Sequence, residues 1–242
     1  MPAGNHEPDY THHMRKGCCI GLVGGLGVAA AVHYYRALVD AHDRQNATLD
    51  LVMAHGEVSR VLEYLRASDR EGLATYLLGL LDRLEAAGAQ CGVIPAVTPH
   101  FCIRELMPRT RLPLFNIFDP LVMELEARSL RRVSVFGTRF VMSSNLYGMI
   151  PGVEIVPAHP AEAEYIDQNY TALALSGRAT EEQHQGMTAI AQRLCSRDGV
   201  EAILFAGTDL TLLFNEQNTD FPYVDCAAIH LRAIINGVLG SS

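Results

Sequence analysis

Lysine is almost missing from this chain of 242 residues. Lys16 is the only one, and it lies ahead of the first predicted strand. A pyridoxal-phosphate enzyme holds its cofactor as a Schiff base on an internal lysine. The sequence therefore disfavours that mechanism, and we expect no cofactor.

Basic runs and long apolar stretches are missing too. The formal net charge is −8, which gives nucleic-acid binding no electrostatic support. No stretch approaches the roughly 20 apolar residues of a membrane-spanning helix. Residues 1–16 are predicted to form a flexible tail, and their polar character is unlike a signal peptide. We expect neither a nucleic acid nor a membrane as partner.

The cysteines and histidines show no spacing typical of disulfide ladders or metal sites. His12 and His13 lie in the tail, and no HExxH pattern follows. We therefore expect no metal and a reduced, cytoplasmic protein. The six cysteines are Cys18, Cys19, Cys91, Cys102, Cys195 and Cys226.

Short apolar strands alternate with longer helical segments, a pattern typical of parallel βαβ units. Strands are predicted over residues 18–23, 49–54, 91–95, 114–117, 132–136, 153–156 and 202–206. Helices are predicted over residues 28–42, 58–65, 70–87, 161–175 and 181–197, with another from about Ser143.

The order of elements in the first half is replayed in the second. Gly25 lies 71 positions before Ala96, and Gly137 lies 70 positions before Gly207. We predict two similar three-layer α/β/α halves, residues 17–118 and 119–242, each with a parallel four-stranded sheet and related by a pseudo-two-fold axis. The C-terminal helix is allowed to pack back on the first half. A ligand cleft is expected between the halves, where the carboxyl ends of parallel strands meet.

The turn Gly24-Gly25-Leu26-Gly27 has two interpretations. Its glycines fit the dinucleotide fingerprint, but the second strand ends in Ala54-His55 instead of an acid that would bind ribose. We therefore favour a tight turn over a nucleotide site.

Four segments together resemble the aspartate/glutamate racemase family, from residue 17 to about residue 239. They are the glycine turn at 24–27, the run Ala96-Val97-Thr98-Pro99-His100, the segment Gly137-Thr138-Arg139-Phe140, and Gly207-Thr208-Asp209. The family writes the second of these as Cys-Asn-Thr and the last as Cys-Thr-Glu, and its two thiols exchange the α-proton of the substrate. By this resemblance Ala96 and Gly207 are vacated thiol positions, and the expected ligand is a small carboxylate.

The resemblance also implies which residues contact that carboxylate. Thr98, Thr138 and Thr208 are candidates, each with simple helix capping as the alternative. Where the family continues Gly-Thr-x-x-Thr, this chain has Val141, so one hydroxyl is missing. Ser143 and Ser144 are the possible substitutes, or they start the helix. The remaining substrate-binding candidate is Gly25.

Asp209 is the first candidate for proton transfer, because it stands where the family has a glutamate; its alternative role is a helix cap. His100 matches the histidine that closes the first motif, and we expect it to be open to the cleft. His55, at the end of the second strand, is the third candidate. His230 matches a family histidine near the C-terminus, but we favour a buried hydrogen-bonding role for it.

Displaced thiols are a further alternative. Cys102 and Cys91 are the nearest cysteines to the vacated positions, and we favour inert core positions for both.

Three functions remain open. The first is a racemase-fold enzyme that acts on a small carboxylate by non-thiol chemistry of lyase, hydrolase or isomerase type. The second is a cofactor-independent aspartate/glutamate-type racemase. The third is a non-catalytic protein that binds a small acid. A two-base racemase needs a proton acceptor on each face of the stereocentre, so we favour the first. A homodimer is also left open.

Overall fold

The computed structural model describes residues 17–240; the predicted tail, residues 1–16, lies outside this range. The first half contains β1 (Ile20–Gly24), α1 (Val28–Arg44), β2 (Leu51–His55), α2 (Val58–Arg66), α3 (Arg70–Ala86), β3 (Cys91–Val93), α4 (Ile103–Leu106), β4 (Leu114–Phe115) and α5 (Phe118–Ala127). The second contains β5 (Arg132–Phe136), α6 (Arg139–Ser143), β6 (Glu154–Ile155), α7 (Pro160–Ser176), α8 (Glu181–Asp198), β7 (Ala202–Phe205), β8 (Tyr223–Asp225) and α9 (Cys226–Leu239), so α5 follows β4 as α9 follows β8. Short 3₁₀ turns follow three strands or helices, at Thr98–Cys102, Asn145–Gly148 and Thr208–Leu212.

Two parallel four-stranded sheets form the two halves, as the repeat in the sequence predicts. Their strand orders are β2-β1-β3-β4 and β6-β5-β7-β8, so each sheet has the same topology. The central strands β1 and β7 are buried along their whole length, which explains their nearly continuous apolar sequences. The predicted α/β fold class is confirmed.

One helix of each half covers the sheet of the other. From α9, Leu231, Ile234 and Val238 pack into the cluster that contains Ile20 of β1. In the same way Phe118 of α5 joins the core of the second sheet. The halves are therefore tied together by packing as well as by the cleft between them.

Several predicted boundaries were wrong, chiefly at strand ends. The third strand ends at Val93 and not at residue 95, because the chain turns through Ile94 and Pro95 toward the 3₁₀ turn. Helix α6 begins at Arg139 instead of near Ser143, because the Thr138 hydroxyl accepts a hydrogen bond from the Val141 N–H and caps it. Ser143 and Ser144 therefore do not start a helix. The short strand β8 and helices α4 and α5 were not predicted.

Residues 17–240 lack both a membrane-spanning helix and a cluster of metal ligands. No helix in that range is long and apolar enough to cross a membrane. Nor does it bring three or more His, Cys, Asp or Glu side chains together in a group able to hold a metal ion.

Candidate functional site

The carboxyl ends of β3 and β7 meet between the two halves. The hydroxyl of Thr208 donates a hydrogen bond of 3.2 Å to the carbonyl oxygen of Pro95. These residues adjoin Gly207 and Ala96, and all four are buried. The bond thus brings together the two strand ends that the sequence singled out, but it also engages the Thr208 hydroxyl with the protein itself.

The space beside Gly207 is filled by the ring of Tyr170 from α7. A Cβ atom built at position 207 would lie 2.2 Å from Cε2 and 2.6 Å from Cζ of this ring. The φ of Gly207 is −105°, which any residue can adopt, so the ring and not the backbone requires glycine here. The phenol ring of Tyr170 thus occupies the region into which a side chain at position 207 would extend.

Asp209 forms a buried pair with Tyr170. The tyrosine hydroxyl donates to Oδ2 of Asp209 at 3.1 Å, and the backbone N–H of Ala30 donates to Oδ1 at 3.0 Å. Ala30 lies in the first turn of α1, whose N-terminal cap Gly27 has no side chain. Asp209 therefore caps a helix of the opposite half, and the partial positive charge of that helix end favours its carboxylate.

Burial shifts the ionisation of both members of the pair. It raises the pKa of Asp209, although the hydrogen bonds from Tyr170 and Ala30 act in the opposite direction. It raises the pKa of Tyr170 well above its ordinary value, and the neighbouring Asp209 charge adds to the effect. The phenol therefore stays protonated, while Asp209 takes up a proton more readily than an exposed aspartate does.

The glycine turn lies against the end of β2. Gly25 has φ +82°, and a Cβ there would lie 2.0 Å from the carbonyl oxygen of Gly56 and 2.7 Å from the ring of His55. Glycine is therefore required by both conformation and space. His55 itself is exposed at this edge, with Nε2 3.8 Å from Oε1 of Glu57.

His100 is buried, so the prediction that it opens to the cleft was wrong. Only 2% of the residue is exposed. Its Nδ1 donates to the carbonyl oxygen of Ala96 at 2.8 Å, and its ring packs edge-to-face on Phe118. Burial lowers the pKa of His100 to about 4, so the imidazole is neutral near pH 7.

The remaining hydroxyl candidates bond to nearby backbone. Ser143 donates to the carbonyl of Phe140, and Ser144 donates to that of Val141. Thr138 caps α6 through its own hydroxyl. Thr98 is half-buried, and its carbonyl accepts a 3.3 Å hydrogen bond from the hydroxyl of Tyr147 in the second half.

His230 and the two nearest cysteines are core residues. His230 donates from Nε2 to the Phe115 carbonyl at 2.9 Å and accepts at Nδ1 from Tyr34, which fixes one neutral tautomer. Burial lowers its pKa to about 3. Burial also raises the pKa of Cys102 to about 12 and that of Cys91 further, so both stay protonated and unreactive.

Sequence reasoning missed Tyr170 and Tyr147. Both lie in regions whose patterns mark only helix or turn, and neither adjoins a motif. A weak signal existed for Tyr170: a glycine where the resemblance implies a side chain leaves room for a neighbour. The identity of that neighbour depends on how α7 packs, which the sequence does not reveal.

Comparisons with known proteins agree with the observed fold. A sequence model described as Asp/Glu/Hydantoin racemase matches residues 23–234. Among solved structures, an Asp/Glu racemase candidate from Yersinia pestis is 22% identical, with a TM-score of 0.77 over 90% of this chain and 98% of that one. An aspartate racemase homologue from Pyrococcus horikoshii is 21% identical, with a TM-score of 0.75 over 90% and 97%.

A more distant solved structure with the same fold is an isomerase. A maleate isomerase from Pseudomonas putida, in a cysteine-to-alanine variant and with maleate, is 14% identical, with a TM-score of 0.51 over 90% of this chain and 91% of that one. At these identities the likeness to solved structures establishes the fold.

Proposed function

This chain belongs to the Asp/Glu/hydantoin racemase family, and on that premise we propose that it is an enzyme that acts on a small carboxylate by non-thiol chemistry. The supporting observation is the hydrogen-bonded pair of Tyr170 and Asp209, whose phenol occupies the space of the second thiol. A buried acid and phenol at a strand end are suited to proton transfer.

The pair provides chemistry on one face only. When Asp209 is protonated, the hydrogen bond of the pair reverses: the carboxyl donates to the phenol oxygen, and the phenol O–H is free to donate to the substrate. Tyr170 then gives its proton to the substrate and takes the proton of Asp209, so that one proton is transferred in all and Asp209 is left as the carboxylate that accepts from Tyr170. The raised pKa of Asp209 favours the protonated form that this relay needs. On the opposite side Ala96 offers no acid or base.

One-sided proton transfer suits a lyase, hydrolase or single-base isomerase better than a racemase. Inversion of a stereocentre needs a second group on the far face, and the buried methyl of Ala96 cannot supply it. His55, the third candidate for acid–base chemistry, lies at the end of β2 and is exposed.

We infer a cytoplasmic location, since all six cysteines are free.

Non-catalytic binding of a small acid is the second candidate function. Most of the polar groups proposed for this site are engaged within the protein: Thr208 with Pro95, Thr138 with Val141, and Asp209 with Ala30. The related maleate isomerase variant is crystallised with maleate although a cysteine has been replaced by alanine. Loss of a thiol is therefore compatible with carboxylate binding in this fold.

To test the proposal, the protein is incubated with a panel of small mono- and dicarboxylates, and their turnover is measured by proton NMR. Tyr170→Phe and Asp209→Asn should each lower the rate by about 10²–10⁴-fold, the usual loss for a general acid–base group, with little change in ligand affinity. Tyr165→Phe is the matched control, because Tyr165 lies on the same helix and its hydroxyl bonds only to the Glu182 carbonyl, at 3.5 Å.

The outcomes separate the two functions. Binding of a panel member without turnover supports the non-catalytic role. Turnover that survives both Tyr170→Phe and Asp209→Asn contradicts the proposed pair.

A further inference from the structure

A pocket of about 360 Å³ lies between the two halves, outside the site described above. One wall is the first three turns of α1, and the other is the C-terminal end of α7 with Leu212. Its volume is in the range of small-molecule sites. None of the candidate site residues lines it.

Its walls are apolar and unusually open to solvent. Val28 is 62% exposed, Val32 44%, Leu175 83% and Leu212 40%. Four of the nine most exposed large apolar side chains among the described residues thus surround one depression. A contiguous exposed apolar patch is typical of a binding surface, whereas exposed apolar residues without such a role are usually scattered singly over a protein.

Two basic side chains line the pocket. They are His33 and Arg36, on the wall formed by α1. Within residues 17–240, neither forms an ion pair with a carboxylate. His33 interacts electrostatically with Asp209 and Asp225, so Arg36 is the cation of this wall that is left for an anion, in a protein of net charge −8.

The opposite wall determines the orientation of the anion. Ala174, Leu175 and Ser176 belong to the last turn of α7, where helix carbonyls carry partial negative charge. The N–H of Gly177 is already bonded to the carbonyl of Leu173. An anion is therefore favoured on the α1 side and disfavoured on the α7 side.

We propose that this pocket binds a carboxylate with an apolar body. The carboxylate lies beside Arg36, and the apolar part lies between Val28 and Val32 on one side and Leu175 and Leu212 on the other. Neither Tyr170 nor Asp209 lines this pocket, although the charge of His33 acts on the Asp209 carboxyl.

Titration calorimetry with 4-phenylbutyrate and its uncharged analogue 4-phenylbutanamide tests the charge and the apolar wall separately. We expect the carboxylate to bind about fivefold more tightly, the difference typical of an exposed ion pair. Arg36→Gln should remove that preference, and Arg44→Gln, on the same helix beyond the pocket, should preserve it. Leu175→Asp should weaken both ligands at least tenfold, whereas Met123→Asp, 70% exposed on α5, should weaken neither.

Tyr170→Phe should bind 4-phenylbutyrate like the native protein, which separates this pocket from the proposed catalytic pair. Absence of binding, or equal affinity of the acid and the amide, overturns the proposal. So does a native dimer in sedimentation velocity that Leu175→Asp dissociates, since a second copy would then cover the pocket.

Discussion

At the scale of single residues, the Tyr170 ring lies where a side chain at position 207 would be, and this overlap can be tested directly. Gly207→Ala should lower stability by about 1–3 kcal/mol, the usual cost of overpacking, because its Cβ would overlap Cε2 of the ring. Urea unfolding measures the loss.

The cause is checked by changing the ring. Tyr170→Ala combined with Gly207→Ala should cost less than the sum of the single changes, because the alanine at position 207 then enters free space. Tyr170→Phe combined with Gly207→Ala should show no such recovery, since phenylalanine keeps the overlapping ring atoms. Additive losses in both pairs would show that Tyr170 does not fill position 207.

The buried histidines predict a second property of single residues, a loss of stability in mild acid. Burial lowers the pKa of His100 to about 4 and that of His230 to about 3, whereas an unfolded histidine titrates near 6.5. Below about pH 6.5 the histidines are protonated in the unfolded chain but stay neutral in the folded protein. The free energy of unfolding should therefore decrease as the pH is lowered, by about 1.4 kcal/mol per pH unit for each histidine.

Urea unfolding at pH 7.5, 6.5 and 5.5 measures this slope. His230→Gln should flatten it, whatever that variant's stability at pH 7.5, and His55→Gln at an exposed position should not. The raised pKa of Asp209 acts in the opposite sense, because as the pH falls the folded protein binds this proton before the unfolded chain does. An unchanged slope in His230→Gln would contradict a neutral buried His230.

Which residues could be predicted from sequence depended on whether their roles were local. Gly25 was identified correctly as a tight turn, because its neighbours in the chain carry the signal. His100 was expected to be open, but it lies under Phe118, which a separate helix supplies. Asp209 was predicted as either a catalyst or a cap; that it caps α1 of the other half follows only from how the halves dock.

At the scale of elements, the exchange of α5 and α9 between halves determines how the protein holds together. Leu231 of α9 is 5% exposed and packs with residues of β1 and α1 in the core of the first half. Leu231→Ala should therefore cost about 2–5 kcal/mol, as large-to-small changes in cores do. Leu175→Ala, at 83% exposure, should cost little.

Hydrogen exchange would show where that loss is felt. If α9 is part of the first half, Leu231→Ala should reduce amide protection in β1 and β3 as well as in α9. Loss confined to α9 and the second sheet would mean that the helix does not stabilise the first half.

The helices and central strands were predictable because their apolar periodicity is local. Strand β5 was predicted with its observed bounds, residues 132–136. Strand β8 and α5 were missed, since β8 is only three residues long and α5 has an apolar face that resembles the strand before it. The exchanged packing of α5 and α9 is a property of the assembled halves, and no pattern within either helix indicates which sheet it covers.

At the scale of the whole molecule, hydrogen bonds join the two halves where the carboxyl ends of their strands meet. Thr208 bonds to Pro95, Ala30 to Asp209, and Tyr147 to Thr98, each across the interface. A substrate must displace or accommodate these contacts. The fold of the family is therefore present, and the strand ends that the sequence singled out are hydrogen-bonded to each other.

This arrangement predicts that racemisation is absent. In deuterated water, the native protein should neither exchange the α-proton of L- or D-aspartate or glutamate nor invert the centre. Exchange requires a base within reach of the α-carbon, and inversion requires a proton donor on the far face as well. Ala96 supplies neither, and the phenol of Tyr170 stays protonated because burial and Asp209 raise its pKa.

Proton NMR of the α-hydrogen signal, together with chiral chromatography, measures both processes. Restoring thiols requires more than two cysteines, since a side chain at position 207 meets the Tyr170 ring. The informative variant is therefore Ala96→Cys with Gly207→Cys and Tyr170→Ala, in which exchange should appear slowly if the carboxylate site is retained, while the variant that keeps Tyr170 should stay inactive. If the native protein exchanged the α-proton at a rate typical of enzymatic turnover, this prediction would be wrong. The chain would then be a racemase, and the proposal of proton transfer on one face would lose its basis.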